Sequence, residues 1–111
     1  MKLPNRENAY VPLAKLRDYL LSETHADGRS KARFFRAVGF DEASVDLFAQ
    51  SLLNIARSEI VIGVVTSRHG VKYVIDGRLH TPTGSFVRVR TIWIVDAGQD
   101  KPRFVTAYPT K

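Results

Sequence analysis

Three side chains near the end of the chain are suited to act on a phosphate or a nucleotide base. Arg103, Thr106 and Tyr108 lie in a segment, residues 102–109, whose β-branched and aromatic residues predict a strand. Because side chains alternate between the faces of a strand, we expect Thr106 and Tyr108 to share one face with Phe104. A guanidinium or a hydroxyl can bind a phosphate oxygen, and a phenol can stack on a base or transfer a proton. The same residues also fit an ordinary terminal strand, because threonine and tyrosine are good strand formers.

A second group of polar residues surrounds a predicted helix start. The sequence reads His25-x-x-Gly28-x-x-Lys31, with Arg29 and Arg33 on either side of the lysine. The N-terminus of a helix carries a partial positive charge, so clustered cations there are unfavourable and indicate a function. Lys31 or His25 is therefore a candidate proton acceptor, and Arg29 is a candidate phosphate ligand. The alternatives are a lysine at the rim of the core and a histidine in a surface loop.

Two arginines in the longest predicted strand form a third group. Arg88 and Arg90 are two residues apart, so both belong to one face of a strand over residues 85–96. Arg78 and His80 precede the turn that leads into this strand and can join the same group. Paired arginines fit a phosphate clamp, and they fit an ordinary solvent-exposed face equally well.

The charge of the chain favours a polyanionic partner. The net charge is +6, and arginine outnumbers lysine by eleven to six. Residues 57–111 hold nine Lys or Arg against four Asp or Glu, whereas residues 1–56 hold eight against seven. Because guanidinium groups bind phosphates in bidentate fashion, this basic half indicates a nucleic acid or a nucleotide-like substrate. The alternative is a basic composition that serves solubility alone.

Length and missing sequence signals set further expectations. A chain of 111 residues predicts a single α+β domain over residues 1–111. The sequence has no cysteine, no apolar run of about 18 residues and no apolar leader, which favours a cytoplasmic protein without a membrane segment. Its three histidines lack zinc-ligand spacing, and it has no carboxylate cluster for magnesium and no glycine-rich phosphate loop. We therefore expect no metal and no cofactor.

Two hydrophobic periods predict the elements that must position these groups. Apolar residues spaced by three and four predict helices over residues 12–22, 31–38 and 42–57. Alternating or continuous apolar residues predict strands over residues 60–65, 71–76, 85–96 and 102–109. Short turns favour antiparallel neighbours, so we predict an α+β fold with about three N-terminal helices followed by a four-stranded antiparallel sheet. The first strand is apolar on both faces, which is typical of a central strand or of a strand covered on both sides.

The layout and several short motifs resemble a known superfamily. A last strand carrying Thr106-Ala107-Tyr108-Pro109 after helices and a sheet resembles the bacterial ribonuclease toxins that include barnase, EndoU, colicin-type tRNases and RelE. Three further stretches are similar to an uncharacterised bacterial domain that occurs alone and at the C-terminus of large toxins. They are His25-x-x-Gly28-x-x-Lys31-Ala32-x-Phe34-Phe35, Thr91-x-Trp93 and Pro102-Arg103-Phe104-Val105-Thr106.

The resemblance implies a toxin that is a metal-independent endoribonuclease, with RNA as substrate and a cognate, acidic antitoxin protein as partner. In such cleavage the 2′-OH of RNA attacks the adjacent phosphate. The expected site residues are Lys31 or His25 as base, Arg90 and Arg103 for the charge of the phosphorane, Thr106 to position the phosphate, Tyr108 to stack or act as acid, and Arg29 and Arg88 as further phosphate ligands. An EndoU-like site uses two histidines and a lysine, whereas a RelE-like site built from Lys, Arg and Tyr fits this sequence at least as well.

Two other classes of protein stay open at this point. A non-catalytic module for nucleic-acid binding or protein interaction would bind RNA with a strong salt dependence and leave it intact. An enzyme acting on a nicotinamide dinucleotide would also use arginines and aromatic residues, although no nucleotide-binding motif supports it.

Overall fold

Valine, isoleucine and aromatic residues in the second half of the chain form a sheet. The structure is a computed structural model that describes residues 1–110. Within this range, the sheet consists of β1 (Gly63–Ser67), β2 (Gly70–His80), β3 (Phe86–Asp96) and β4 (Arg103–Pro109). The strands lie in the order β1-β2-β3-β4, and each pairs antiparallel with the next. The predicted four-stranded antiparallel sheet is therefore confirmed, and β1 and β4 are its edges.

The helical segments are more varied than the sequence predicts, and the first predicted helix is shorter than its predicted range of residues 12–22. They are the 3₁₀ turn Arg6–Asn8, α1 (Leu13–Lys15), the π-helical turn Leu16–Leu20 that continues it, α2 (Arg29–Ala37), the 3₁₀ turn Glu42–Ser44 and α3 (Val45–Ser58). The carboxylate of Asp41 accepts a hydrogen bond from the Ala43 N–H, and Ser44 completes a capping box before α3. Among residues 1–110, no helix has the length and apolar character needed to cross a bilayer.

The predicted order of about three N-terminal helices and then a separate sheet is wrong, although the α+β class holds. β pairing begins before the first helix, because Lys2 forms an antiparallel bridge with Ile60 and Tyr10 a parallel bridge with Arg103. The backbone N–H of Tyr10 donates to the Pro102 carbonyl at 3.0 Å, and its carbonyl accepts from the Phe104 N–H at 3.0 Å. The N-terminal residues thus satisfy backbone groups at the start of the edge strand β4, which a sequence period does not reveal.

One face of the sheet packs against the helices and is called the core face. Its residues are Ile75, Gly77, Leu79, Val89, Thr91, Trp93, Phe104 and Ala107, and all are buried. Gly77 lets α3 approach, because a Cβ there would lie 2.8 Å from Cγ2 of Ile55. The opposite side, called the open face, carries Asp76, Arg78, His80, Phe86, Arg88, Arg90, Thr106 and Tyr108, and all are exposed or half-buried.

Two predictions about strands are wrong. The first strand is an edge rather than a covered strand, and Val64 and Val65 in it are 49% and 58% exposed. In β4, an irregularity in the pairing sets Phe104 opposite Trp93 but Thr106 opposite Ile92. Phe104 therefore lies on the core face and Thr106 on the open face, because the bulge shifts the alternation by one residue.

Candidate active site

A cleft forms where the start of α2 meets the end of β4. It encloses about 440 Å³ and is lined by Ser30, Lys31, Tyr108 and Pro109. Helix α2 is fixed by its apolar side, because Ala32 and Phe35 are buried in the core. This packing leaves Lys31 half-buried beside the edge strand. Lys31 and Tyr108, separated by most of the sequence, therefore line the same cleft.

Tyr19 joins this cleft to Thr106. The phenolic oxygen of Tyr19 and Oγ1 of Thr106 form a hydrogen bond of 3.2 Å. Nζ of Lys31 lies 5.5 Å and Nζ of Lys15 lies 5.4 Å from the centroid of the Tyr19 ring. Two cations and a hydroxyl thus surround one phenol, an arrangement that favours its ionised form.

The pKa of Tyr19 reflects this environment. Burial alone raises the pKa of the Tyr19 phenol. The hydrogen bond with Thr106 and the nearby charges of Lys31 and Lys15 outweigh burial and bring the pKa of Tyr19 below its ordinary value. A lowered pKa beside two lysine side chains is typical of a group that transfers a proton.

A glycine is required next to Tyr19. A Cβ on Gly28 would overlap the carbonyl oxygen of Tyr19 and lie 3.0 Å from its Cδ1. The close approach allows the π-helical turn Leu16–Leu20 to lie against the start of α2. Gly28 therefore sets the position of Tyr19 relative to Lys31.

His25 has a structural task in the same loop. Its Nδ1 accepts hydrogen bonds from the backbone N–H groups of Asp27 and Gly28, each at 3.1 Å. The ring also packs edge-on against Tyr19, with the centroids 5.0 Å apart. With Nδ1 occupied as an acceptor, a neutral imidazole carries its proton on Nε2 and has no free nitrogen to accept another. This geometry favours Tyr19 or Lys31 over His25 as a proton acceptor.

Arg90 borders the cleft from the neighbouring strand. It lies opposite Tyr108 on β4 and Asp76 on β2. The guanidinium donates two hydrogen bonds to the Asp76 carboxylate, at 2.8 and 2.9 Å. These bonds raise the pKa of Arg90 above its ordinary value, and a weaker interaction with Tyr108 adds to the effect. Asp76 therefore orients Arg90 beside Tyr108 on the open face.

Three of the expected residues lie apart from the cleft. Arg103 is at the other end of β4, about 16 Å from Tyr108 at roughly 3.3 Å per residue, and it donates to Asp96 twice, each at 3.1 Å. Arg88 is exposed two residues beyond Arg90 on β3. Arg29 is exposed at the first position of α2. Of the expected set, Lys31 and Tyr108 thus line the cleft. Thr106 is connected to it through Tyr19, and Arg90 lies opposite Tyr108 on the neighbouring strand.

Sequence reasoning missed Lys15 and Tyr19. Both lie in a segment whose leucines predict a core-facing helix, and the polar residues between those leucines received no role. Their one local signal is the spacing of four, which brings side chains together on a helix. Among residues 1–110, no group of three or more His, Asp or Glu side chains is placed to hold a metal ion.

Comparisons with known proteins give a family and a fold. The model of the family described as "Domain of unknown function (DUF6883)" matches residues 2–111. No curated protein matches the chain. Among solved structures, the chain is similar to one chain of a contact-dependent growth inhibition toxin–immunity protein complex from Klebsiella pneumoniae 342. The TM-score is 0.71 at 16% sequence identity, and the match covers 96% of this chain and 97% of that chain. At this identity the likeness shows a shared fold.

Proposed function

This chain belongs to the family described as a domain of unknown function, DUF6883, and we propose that it is a bacterial toxin that cuts RNA as a metal-independent endoribonuclease. The fold shared with a chain of a toxin–immunity protein complex supports the toxin part of the proposal. The same likeness supports a cognate neutralising protein as partner. Since this chain has a net charge of +6, an acidic partner would complement it.

One observation carries the enzymatic part of the proposal. Lys31 and Tyr108 line one cleft, Tyr19 hydrogen-bonds Thr106 beside it, and Arg90 borders it. RNA cleavage by its own 2′-OH requires a proton acceptor, a proton donor and positive charge near the phosphate. The cleft offers each of these groups on side chains that come from separate elements.

The proposed reaction uses the substrate's own nucleophile. The 2′-oxygen attacks the adjacent phosphorus, the bond from phosphorus to the 5′-oxygen breaks, and the products are a 2′,3′-cyclic phosphate and a free 5′-hydroxyl. In our assignment, the phenolate form of Tyr19 takes the proton of the 2′-OH, and the lysines beside the ring make this form more accessible by lowering the pKa of Tyr19. Tyr108 gives a proton to the leaving 5′-oxygen. The hydroxyl of Thr106 positions the phosphate.

Positive charge in the cleft has a separate role. Lys31 and Arg90 would stabilise the additional negative charge of the phosphorane, where a fixed donor is worth roughly 10²–10³-fold in rate. Arg90 keeps its orientation because its guanidinium donates two hydrogen bonds to the Asp76 carboxylate. Lys31 in addition favours ionisation of Tyr19.

The test is cleavage of labelled RNA by the purified protein and inspection of total RNA after induced expression in bacteria. We expect growth arrest with discrete RNA fragments ending in cyclic phosphates. Tyr108→Phe and Tyr19→Phe should each reduce the cleavage rate by roughly 10²–10⁴-fold, because each removes one proton-transfer group. Lys31→Met should reduce it by roughly 10²–10³-fold.

Arg33→Met is the matched control for Lys31→Met. Arg33 is an exposed cation on the same helix, two residues further on, and it does not line the cleft. The Arg33→Met variant should cut RNA at the parent rate. Folded Lys31→Met and Tyr108→Phe variants that cut RNA like the parent would refute the site. Intact RNA with salt-dependent binding would instead favour a non-catalytic module, and arrest with falling nicotinamide dinucleotide would favour the third class.

A further inference from the structure

A cluster of aromatic and basic side chains lies on the open face at the end of the β2–β3 hairpin. The strand register pairs His80 with Phe86 and Arg78 with Arg88. Because these residues alternate with buried ones, they share the face that carries Arg90. We call the four residues the hairpin cluster.

The aromatic member of the hairpin cluster is unusually exposed for its size. Phe86 is 45% exposed. Cζ of Arg78 lies 4.4 Å from the centroid of the Phe86 ring. The His80 ring is nearly perpendicular to the Phe86 ring, with the two ring centroids 4.1 Å apart. These two neighbours hold the ring in place while much of its surface stays in solvent. A fixed, exposed aromatic ring with a guanidinium against it is suited to stacking against a nucleotide base.

The charge of the cluster is not neutralised within the described residues. Asp76, the carboxylate of the same face, is already bound to Arg90 through two hydrogen bonds. Among residues 1–110, Arg78 and Arg88 form no ion pair with a carboxylate, and both are exposed. The end of the hairpin therefore carries an excess of positive charge, which complements a phosphate backbone.

The hairpin cluster lies on the same face as Arg90, which borders the cleft, but at a distance along β3. Along β3, Arg88 is about 7 Å and Phe86 about 13 Å beyond Arg90, at a rise of roughly 3.3 Å per residue. Arg90 in turn lies opposite Tyr108. A ligand that reaches from the cleft to Phe86 must therefore be an extended chain rather than a single phosphate group.

We propose that the hairpin cluster is a binding subsite for a neighbouring nucleotide of single-stranded RNA, whose base stacks on Phe86 and whose phosphate lies between Arg78 and Arg88. The subsite rests on the proposed function, since it extends the same substrate along the open face. Single-stranded rather than duplex RNA is required, because only an unpaired base can turn its flat surface to an aromatic ring. The His80 ring, nearly perpendicular to the Phe86 ring, helps to keep it in place.

The experiment measures binding alone, by fluorescence anisotropy, with a short labelled 2′-O-methyl oligoadenylate that lacks the attacking 2′-OH. Phe86→Leu should weaken binding by about 5- to 150-fold, the range for stacking of one base, whereas Phe86→Trp should keep parent affinity. Arg88→Met should lower the slope of log K against log salt by about 0.7, because one phosphate contact is lost. Lys72→Met is the matched control, because Lys72 is an exposed cation at the far end of β2.

The outcomes separate the subsite from the catalytic proposal. Loss of binding in Phe86→Leu with unchanged binding in Lys72→Met supports the subsite, whether or not the parent protein cuts RNA. Parent-like binding by folded Phe86→Leu and Arg88→Met overturns it even if RNA is cut. The subsite is also overturned if Lys72→Met lowers the slope of log K against log salt as much as Arg88→Met does. Absence of binding by the parent protein overturns it as well.

Discussion

Replacing Thr91 by valine tests whether the hydrogen bond between the Thr91 hydroxyl and the Trp93 indole stabilises the core. Both side chains are fully buried. The Thr91 hydroxyl donates to the Ile75 carbonyl at 2.7 Å and accepts from Nε1 of Trp93 at 2.8 Å. Thr91→Val keeps the shape of the side chain but removes both bonds. The indole N–H of Trp93 is then buried without an acceptor.

The expected loss follows from that unpaired donor. A buried donor left unsatisfied costs about 1–3 kcal/mol of unfolding free energy. With an unfolding entropy of roughly 2.1 cal/mol/K per residue, a chain of 111 residues should show a fall in Tm of about 4–13 °C. Calorimetry and urea unfolding measure the two quantities directly.

A double-mutant cycle isolates the hydrogen bond from the packing of the indole ring. Trp93→Phe removes the donor itself, so in the Thr91→Val background no N–H is left unpaired. We therefore expect Trp93→Phe to cost about 1–2 kcal/mol less in Thr91→Val than in the parent. Strictly additive effects, or a Thr91→Val variant as stable as the parent, would refute this account of the Thr-x-Trp motif.

Two further predictions concern the loop beside the cleft and the far end of β4. Gly28→Ala should lower the unfolding free energy by about 1–3 kcal/mol because the new Cβ overlaps Tyr19. Gly63→Ala is the control, because its Cβ would meet side-chain atoms at 3.4 Å, and it should lower the unfolding free energy less. Equal losses of unfolding free energy in the two variants would contradict the prediction. The hydrogen bond from Arg103 lowers the pKa of Asp96, so the pair stabilises the fold above the ordinary aspartate pKa and loses that contribution as the pH falls through the lowered pKa. In urea unfolding at several pH values, the stability gap between the parent and Arg103→Met should therefore narrow in acid, and a gap independent of pH would refute the assignment.

Much of the sheet follows from local sequence. The strand predicted over residues 71–76 lies within β2 (Gly70–His80). The buried residues Gly77 and Leu79 continue the alternation of a strand with one packed face beyond the predicted end. Short turns made antiparallel order predictable, because parallel neighbours need a long crossover. The apolar stripe of α3 was predictable for the same kind of reason, since its period belongs to one helix.

The errors arise where pairing or packing partners decide the outcome. An apolar run cannot show whether a strand such as β1 has a neighbour on each side, so its exposed valines were unexpected. The bulge in β4 depends on the register with β3, and it moved Phe104 away from the face of Thr106. The bridges of Lys2 and Tyr10 join residues distant in sequence, which no local period encodes.

The candidate site divides in the same way. The sequence by itself determined the chemical types, namely a basic helix start, paired arginines and a Thr-x-Tyr strand end, because these depend on residue identity and spacing within one element. Only the tertiary structure decided which of them meet. It brings Lys31 and Tyr108 into one cleft, adds Tyr19 through its bond to Thr106, and leaves Arg103 with Asp96. The physical reason is that helix packing and strand register, rather than any local pattern, set the distances between side chains on separate elements.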